Sequence, residues 1–288
     1  MFHVRKIESF DAPELQPYAT MRRSREHEQQ GLFIAEGVKV VQRLFESNFT
    51  VLSLVVPEEW LPEFQTQLEK RPEDVIVYIA EKKLLESLTG FSLFQGVLAV
   101  GKIPEPVSLE KILSSGTAPR LFVAVDALTN AENLGALARN CVAFGVTAMI
   151  VGETSSSPFL RRSVRNSMGM ILQLPVVELA RIGQWRPRNS TSHTTALTLV
   201  ECLQEFRARG VRCIAAHPHT DQRTLPQADF TGDCCIVFGS EGDGISPAVL
   251  AACDDAVAIP MPPAVDSLNV AAAAAVFLYE ANRQRKVY

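Results

Sequence analysis

The sequence predicts an α/β protein built as two units, and three observations carry that expectation. From Leu32 to Val100, strand-like apolar runs alternate with helical patterns, as in a layered α/β structure. A stretch holding Pro104, Pro106, Gly116 and Pro119 interrupts them. Beyond it, a run apolar enough for a fully buried strand, Leu121–Val125, opens a second half of the same kind. The expected division is residues 1–102, a linker over 103–118 that brackets one short helix, and a larger domain over 119–288.

In the first unit, LFIAE at 32–36 reads as a short strand. Gly37 then opens a helix whose apolar positions Val38, Val41, Leu44 and Phe45 follow i, i+3, i+4 spacing. Strands follow at Val51–Val56 and Val75–Ile79, a helix at Glu81–Leu88 and a strand at Gly96–Val100.

In the second unit, strand Leu121–Val125 closes on Asp126 and leads to TNAENLGALARNCVAFG, a helix capped by Asn130 or Asn133. Its apolar face is Leu134, Leu137, Ala138 and Cys141; Arg139 points elsewhere, with small Gly135 and Ala143 one turn to either side. Taken alone, these residues favour a surface arginine on an amphipathic helix, and only the other motifs shift that reading. A strand at Ala148–Val151, a helix about Leu197–Arg209 and a strand at Val211–Ala215 come next. The β-rich run Cys234–Phe238 then breaks sharply at Gly239. Three glycines in six residues, Gly239, Gly242 and Gly244, suit a loop whose amides approach a ligand closely, and Glu241 and Asp243 lie among them. Such loops are common after α/β strands.

The stretch Ile259 to Tyr279, IPMPPAVDSLNVAAAAAVFLY, organises the rest. Pro260, Pro262 and Pro263 force a stiff loop, and from Leu268 the chain is apolar on every side of a helix except for Asn269. A helix of that kind is expected to be buried all round, with Asn269 as a buried amide in need of partners and five alanines, Ala271 to Ala275, admitting another backbone. A plain core helix N-capped by Ser267 fits these residues as well.

Six cysteines without zinc-type spacing read as reduced core thiols, and no metal site is expected. No signal peptide and no apolar run of about 18 residues is seen, so a cytoplasmic protein without a membrane segment is expected. A net charge of −4 does not advertise nucleic-acid binding, but charge is uneven. Between Pro158 and Val200 the sequence holds six arginines, Arg161, Arg162, Arg165, Arg181, Arg186 and Arg188, and one acid, Glu178; Arg22, Arg23 and Arg25 form a second cluster and Arg283, Arg285 and Lys286 a third. Solvated surface explains any one of them, whereas together they could form a phosphate-binding stripe.

Three motifs occur in a fixed order: NLGALAR (Asn133 to Arg139), FGSEGDGI (Phe238 to Ile245) and IPMPPAVDSLNV (Ile259 to Val270). Together they resemble the signature motifs of the SpoU, or TrmH-type, RNA ribose 2′-O-methyltransferases of the SPOUT class, over about Leu121 to Arg283. FIAEG (Phe33 to Gly37) and QGVLAV (Gln95 to Val100) are similar to the family's α/β substrate-binding module. The resemblance implies a C-terminal SPOUT domain closed by a trefoil knot, which pattern reasoning would not supply. It also implies a homodimer that buries the C-terminal helix and completes the active site. S-adenosyl-L-methionine would be held at Gly239, Ile259 and Leu268, with Met261 and Ser267 close by. Arg139 would stand at the attacking ribose oxygen, surrounded by Asn133, Glu241, Ser267 and Asn269, and the resemblance selects Glu241 over Asp243.

The implied chemistry suits these residue types. A ribose hydroxyl is a poor nucleophile that must be oriented and relieved of its proton with water excluded. A guanidinium, with pKa above about 12, is better suited to stabilising an alkoxide or gripping a phosphate than to acting as a base. Arg161, Arg162 and Arg165 are the candidate RNA contacts, with ribosomal RNA favoured over transfer RNA. Two departures stand out: Pro262-Pro263 where a small residue is usual, and Ala271 where serine is common. The rival readings are a non-catalytic RNA-binding or ribosome-assembly protein on the same fold, and a base methyltransferase of the same class. A phosphate-loop enzyme fits poorly, because the glycine loop lacks both the GxGxxG order and a lysine.

Overall fold

The computed structural model describes residues 1–89, 96–179, 197–220 and 223–287. Its strands and helices divide into two compact units, Met1–Glu105 with Phe159–Gln173, and Pro106–Pro158 with Leu174–Tyr288. The contiguous division expected above assigned residues 159–173 to the second unit, and the contacts group them with the first.

The first unit holds five strands: β1 (Phe2–Ile7), β2 (Leu32–Glu36), β3 (Val51–Val56), β4 (Val75–Ala80) and β5 (Leu98–Lys102). Their order is β1-β4-β3-β5-β2, with β5 antiparallel to both its neighbours. The helix Val38–Glu46 starts where expected, because Gly37 takes φ 98°, a conformation that side chains disfavour, and turns the chain off β2. Val38, Val40, Val41, Leu44 and Phe45 are its buried positions.

The grouping of residues 159–173 with this unit has a clear physical cause. Glu36, at the end of β2, is buried, and two guanidiniums of the helix Arg161–Asn166 neutralise it. Arg161 Nη1 donates to Oε2, and Arg165 Nη1 donates to Oε1 at 2.8 Å. A buried carboxylate without such partners would be strongly disfavoured. Phe159 completes a cluster with Phe33 and Phe49, with all three ring centroids 5.8–5.9 Å apart.

The second unit is a seven-stranded parallel sheet. Its strands are β6 (Leu121–Val125), β7 (Ala148–Val151), β8 (Val176–Glu178), β9 (Arg212–Ala216), β10 (Arg223–Thr224), β11 (Cys234–Phe238) and β12 (Asp255–Ala258), in the order β10-β12-β9-β11-β6-β7-β8. Five of the six cysteines are buried and none is in a disulfide; burial pushes the Cys234 thiol up to about 11 and that of Cys253 up to about 12. The stretch read as a linker is partly core: in the helix Leu109–Ser114, capped by Ser108, Leu109, Ile112 and Leu113 are buried against Phe122 and Phe206.

The C-terminal helix spans Val270–Arg285, and its last arginine acts as a clamp. Arg285 donates to the carbonyls of Phe230 at 2.7 Å, Pro119 at 3.0 Å, Arg120 at 3.1 Å and Gly232 at 2.6 Å. These bonds tie the end of the helix to the starts of β6 and β11. Charge-assisted bonds to backbone are worth more than neutral ones, so Arg285→Ala is expected to cost about 2–3 kcal/mol. In a thermal melt this lowers the midpoint of the second unit by roughly 5–10 °C. Lysine, a point charge without the planar fork, should restore little of the loss. No helix among the described residues is long and apolar enough to cross a membrane.

Candidate active site

In an open parallel sheet, ligands collect at the carboxyl ends of the strands. Here β9 ends at Ala216, β11 at Phe238 and β12 at Ala258, and the loops that follow surround one cavity of about 450 Å³. Its walls are residues 216–219, the glycine loop from Gly239 to Ile245, the proline loop from Ile259 to Leu268, and the inward face of the C-terminal helix at Val270, Ala273 and Phe277.

The glycine loop is closed on itself. Ser240 N donates to Gly244 O at 2.9 Å and Gly244 N donates back to Ser240 O at 3.2 Å. Gly239 is required by close approach, since a Cβ there would lie 2.1 Å from the carbonyl carbon of Gly244. Asp126, buried at the end of β6, accepts from Ser246 N at 2.7 Å and anchors the far end of the loop.

Three motif side chains meet beside this loop. Asn133 Nδ2 donates to Glu241 Oε1 at 2.5 Å, and Asn269 Nδ2 donates to Glu241 Oε1 at 2.9 Å and to Asn133 Oδ1 at 3.0 Å. Each participant is held by local structure. Asn130 is the helix N-cap and accepts from Glu132 N and Asn133 N, so Asn133 sits in the first turn of the helix Ala131–Ala143. Asn269 is itself the N-cap of the C-terminal helix, with Oδ1 accepting from Ala271 N at 3.0 Å. Asn140 Nδ2 donates to Ala271 O at 2.7 Å, and Asn282 Nδ2 donates to Phe144 O at 2.9 Å, which fixes the two helices side by side.

Of the expected cofactor residues, Gly239, Ile259, Met261, Ser267 and Leu268 all line the cavity, as does Glu241. Asn133 and Asn269 reach it through Glu241. Arg139 is not one of its walls; it is exposed and has no hydrogen-bonding or ionic partner among the described residues. Six residues along a helix place it about 9 Å further on and roughly 120° around from Asn133.

Several expectations need correction. Asn269 is exposed rather than buried; it finds its partners at the cavity mouth. The cap is Asn269 and not Ser267, and the helix starts at Val270, leaving Leu268 40% exposed. The C-terminal helix is buried on one side only: Ala271, Ala274, Phe277, Leu278 and Ala281 face inward, whereas Val276 and Tyr279 are 39% and 58% exposed. Arg161 and Arg165 do not form a free phosphate stripe, because both are committed to Glu36, and only Arg162 of the three is exposed and without a partner among the described residues. Arg181, Arg186 and Arg188 lie outside the described residues. Sequence reading also missed His217, His219 and Asp266 as cavity walls. The histidines follow directly on a buried parallel strand, and that position was the available signal.

Comparison with known proteins supplies the family. Residues 120–279 match the SpoU rRNA Methylase family, and residues 13–99 match the MRM3-like substrate binding domain. The chain is 35% identical to an uncharacterised tRNA/rRNA methyltransferase of Mycobacterium tuberculosis over 88% of its own length and 81% of that protein's. It is 33% identical to the 23S rRNA (guanosine-2′-O-)-methyltransferase RlmB of Acinetobacter baylyi over 74% of its length and 81% of that protein's. The SpoU methyltransferase AviRb of Streptomyces viridochromogenes, crystallised in complex with the cofactor AdoMet, superposes with a TM-score of 0.77 at 26% identity, covering 96% of this chain and 100% of that one. Through its motifs, its parallel sheet and these relatives, the chain belongs to the SpoU rRNA methylase family.

Proposed function

We propose that this protein transfers a methyl group from S-adenosyl-L-methionine to a ribose 2′-hydroxyl in structured RNA, ribosomal RNA in preference to transfer RNA. The observation that carries the reading is the meeting of Asn133, Glu241 and Asn269 at the rim of a cavity whose floor cannot admit a side chain at Gly239. A cavity of about 450 Å³ falls within the usual range for small-molecule sites, roughly 300–1,000 Å³, and its loop amides suit a ligand held by backbone. The relatives' names, an rRNA guanosine-2′-O-methyltransferase and an AdoMet-bound SpoU enzyme, support the same assignment.

When bound, the cofactor supplies a methyl group on a sulfonium. The residues of this chain do the rest. Asn133 and Asn269 hold Glu241 by one oxygen, leaving Oε2 without a hydrogen bond among the described residues and available to the sugar. Ser267, on the cavity wall, adds a hydroxyl to the lining. Arg139 stabilises the developing alkoxide or the adjacent phosphate. Its exposed position fits an active site completed by a second copy, and the uncovered Val276 and Tyr279 fit a homodimer through the C-terminal helix. In this reading the second unit closes as a trefoil knot, the first unit and Arg162 engage RNA, and the protein works in the cytoplasm.

Ribose-methylation mapping of total RNA from cells with and without the gene tests the proposal. One 2′-O-methyl mark in ribosomal RNA should vanish in its absence and return with the intact gene. An unchanged map, together with no methyl transfer by the purified protein to that RNA, would overturn it.

A further inference from the structure

Three carboxylates line the cavity, Glu241, Asp243 and Asp266, and no lysine or arginine does so among the described residues. Glu241 is tied to two amides by one oxygen. The side chains of Asp243 and Asp266 differ from it: neither has a hydrogen bond or ion pair among the described residues. Asp243 is placed by its own backbone, whose N–H donates to Ser240 Oγ at 3.1 Å. Asp266 follows the turn in which Val265 N donates to Pro262 O at 3.0 Å, so the stiff proline loop presents it. The other titratable groups on the wall are His217 and His219. His219 N donates to Nδ1 of His217 at 3.2 Å. The wall therefore carries carboxylates from two separate loops, with neither lysine nor arginine set against them among the described residues.

We propose that Asp243 and Asp266 make this cavity discriminate between substrate and product cofactor by charge, favouring S-adenosylmethionine over S-adenosylhomocysteine. The inference rests on the cofactor assignment made above. Transfer breaks the S–CH₃ bond and forms an O–CH₃ bond. The bonding pair returns to sulfur, and the hydroxyl proton leaves the site, in the end to bulk solvent. The occupant thus changes from a sulfonium with one net positive charge to a neutral thioether of nearly the same shape. Apolar contacts and backbone hydrogen bonds are almost blind to that change, whereas uncompensated carboxylates are not. The cavity loses its electrostatic hold once chemistry is done, which eases product release without moving a loop.

Calorimetric titration of the full-length protein with both nucleosides tests this. Exposed charge pairs are individually weak, so Asp266→Asn and Asp243→Asn should each lower affinity for S-adenosylmethionine by about two- to fivefold. The double variant should lower it by about tenfold, with affinity for S-adenosylhomocysteine changed by less than about twofold in all three. In the unaltered protein, the preference for the sulfonium should shrink as salt is raised, a measurement independent of any substitution. Parallel losses for both nucleosides, no loss for either, or a salt-independent preference would overturn the inference while leaving the cofactor assignment standing. Failure of the unaltered protein to bind S-adenosylmethionine would bring down both.

Discussion

An Arg139→Ala variant is expected to turn over about a hundred- to a thousandfold more slowly than the unaltered chain while binding S-adenosylmethionine within about twofold of it. The split follows from position. Arg139 lies outside the cavity and has no partner among the described residues, so the fold and the cofactor site lose nothing when it is truncated. What would be lost is a fixed positive charge at an oxygen that becomes negative during transfer. Lysine should rescue poorly, because a compact ammonium cannot grip oxygens in a planar fork. Single-turnover methylation beside calorimetric titration separates the two quantities. If the guanidinium serves the neighbouring subunit, mixing Arg139→Ala and Glu241→Gln protomers should restore part of the activity, since some mixed dimers hold one intact site. Normal turnover by Arg139→Ala would remove it from the mechanism.

Gly239→Ala should abolish measurable cofactor binding, a loss of more than about a hundredfold. The added Cβ would lie 2.1 Å from the carbonyl carbon of Gly244 and 2.3 Å from both its oxygen and Ile245 N. All three are backbone atoms, so relief requires opening the loop that Ser240 and Gly244 close, and the clash cannot be relieved by a rotamer change. Gly232→Ala is a fair control, since its Cβ would meet nothing within 4 Å. It should bind within about twofold of the unaltered protein, with a melting temperature nearly unchanged. A Gly239→Ala protein that bound the cofactor normally would show that the loop does not hold it.

The parts of the molecule that were legible in the sequence share a strong local cause. Leu121–Val125, Ala148–Val151 and Cys234–Phe238 are strands buried on both faces, and continuous apolar runs reveal such strands. The glycine loop was legible because glycine marks close backbone approach. By contrast, β1 escaped notice: FHVRKI lies at a sheet edge with four of its six residues exposed, so no hydrophobic alternation is imposed on it. The helix Leu61–Lys70 buries only Phe64 and Leu68, too few for a pattern. The role of Arg161 could not be read at all, because its partner Glu36 is 125 residues away and a buried ion pair leaves no periodic trace. The apolar first half of the C-terminal helix, Val270 to Tyr279, misleads in a different way. Composition says how apolar a helix is, but not how much of it its own chain covers, and Val276 and Tyr279 stay exposed. The polarity of Asn269 stands out in the sequence, yet it serves a helix start at the cavity mouth and not a buried network.

The inclusion of Phe159–Gln173 in the first unit bears on how this architecture can be taken apart. The chain passes from one unit to the other three times, at 105/106, 158/159 and 173/174, and not once through a single tether. A fragment ending at Glu105 would leave the Glu36 carboxylate sequestered without its two cations and would strip Phe159 from Phe33 and Phe49. The first unit is therefore not a bead on a string that can be separated by a cut at the prolines. It needs the helix Arg161–Asn166, which the chain supplies only after building part of the second unit, so the first unit is complete only when the polypeptide has extended past Gln173.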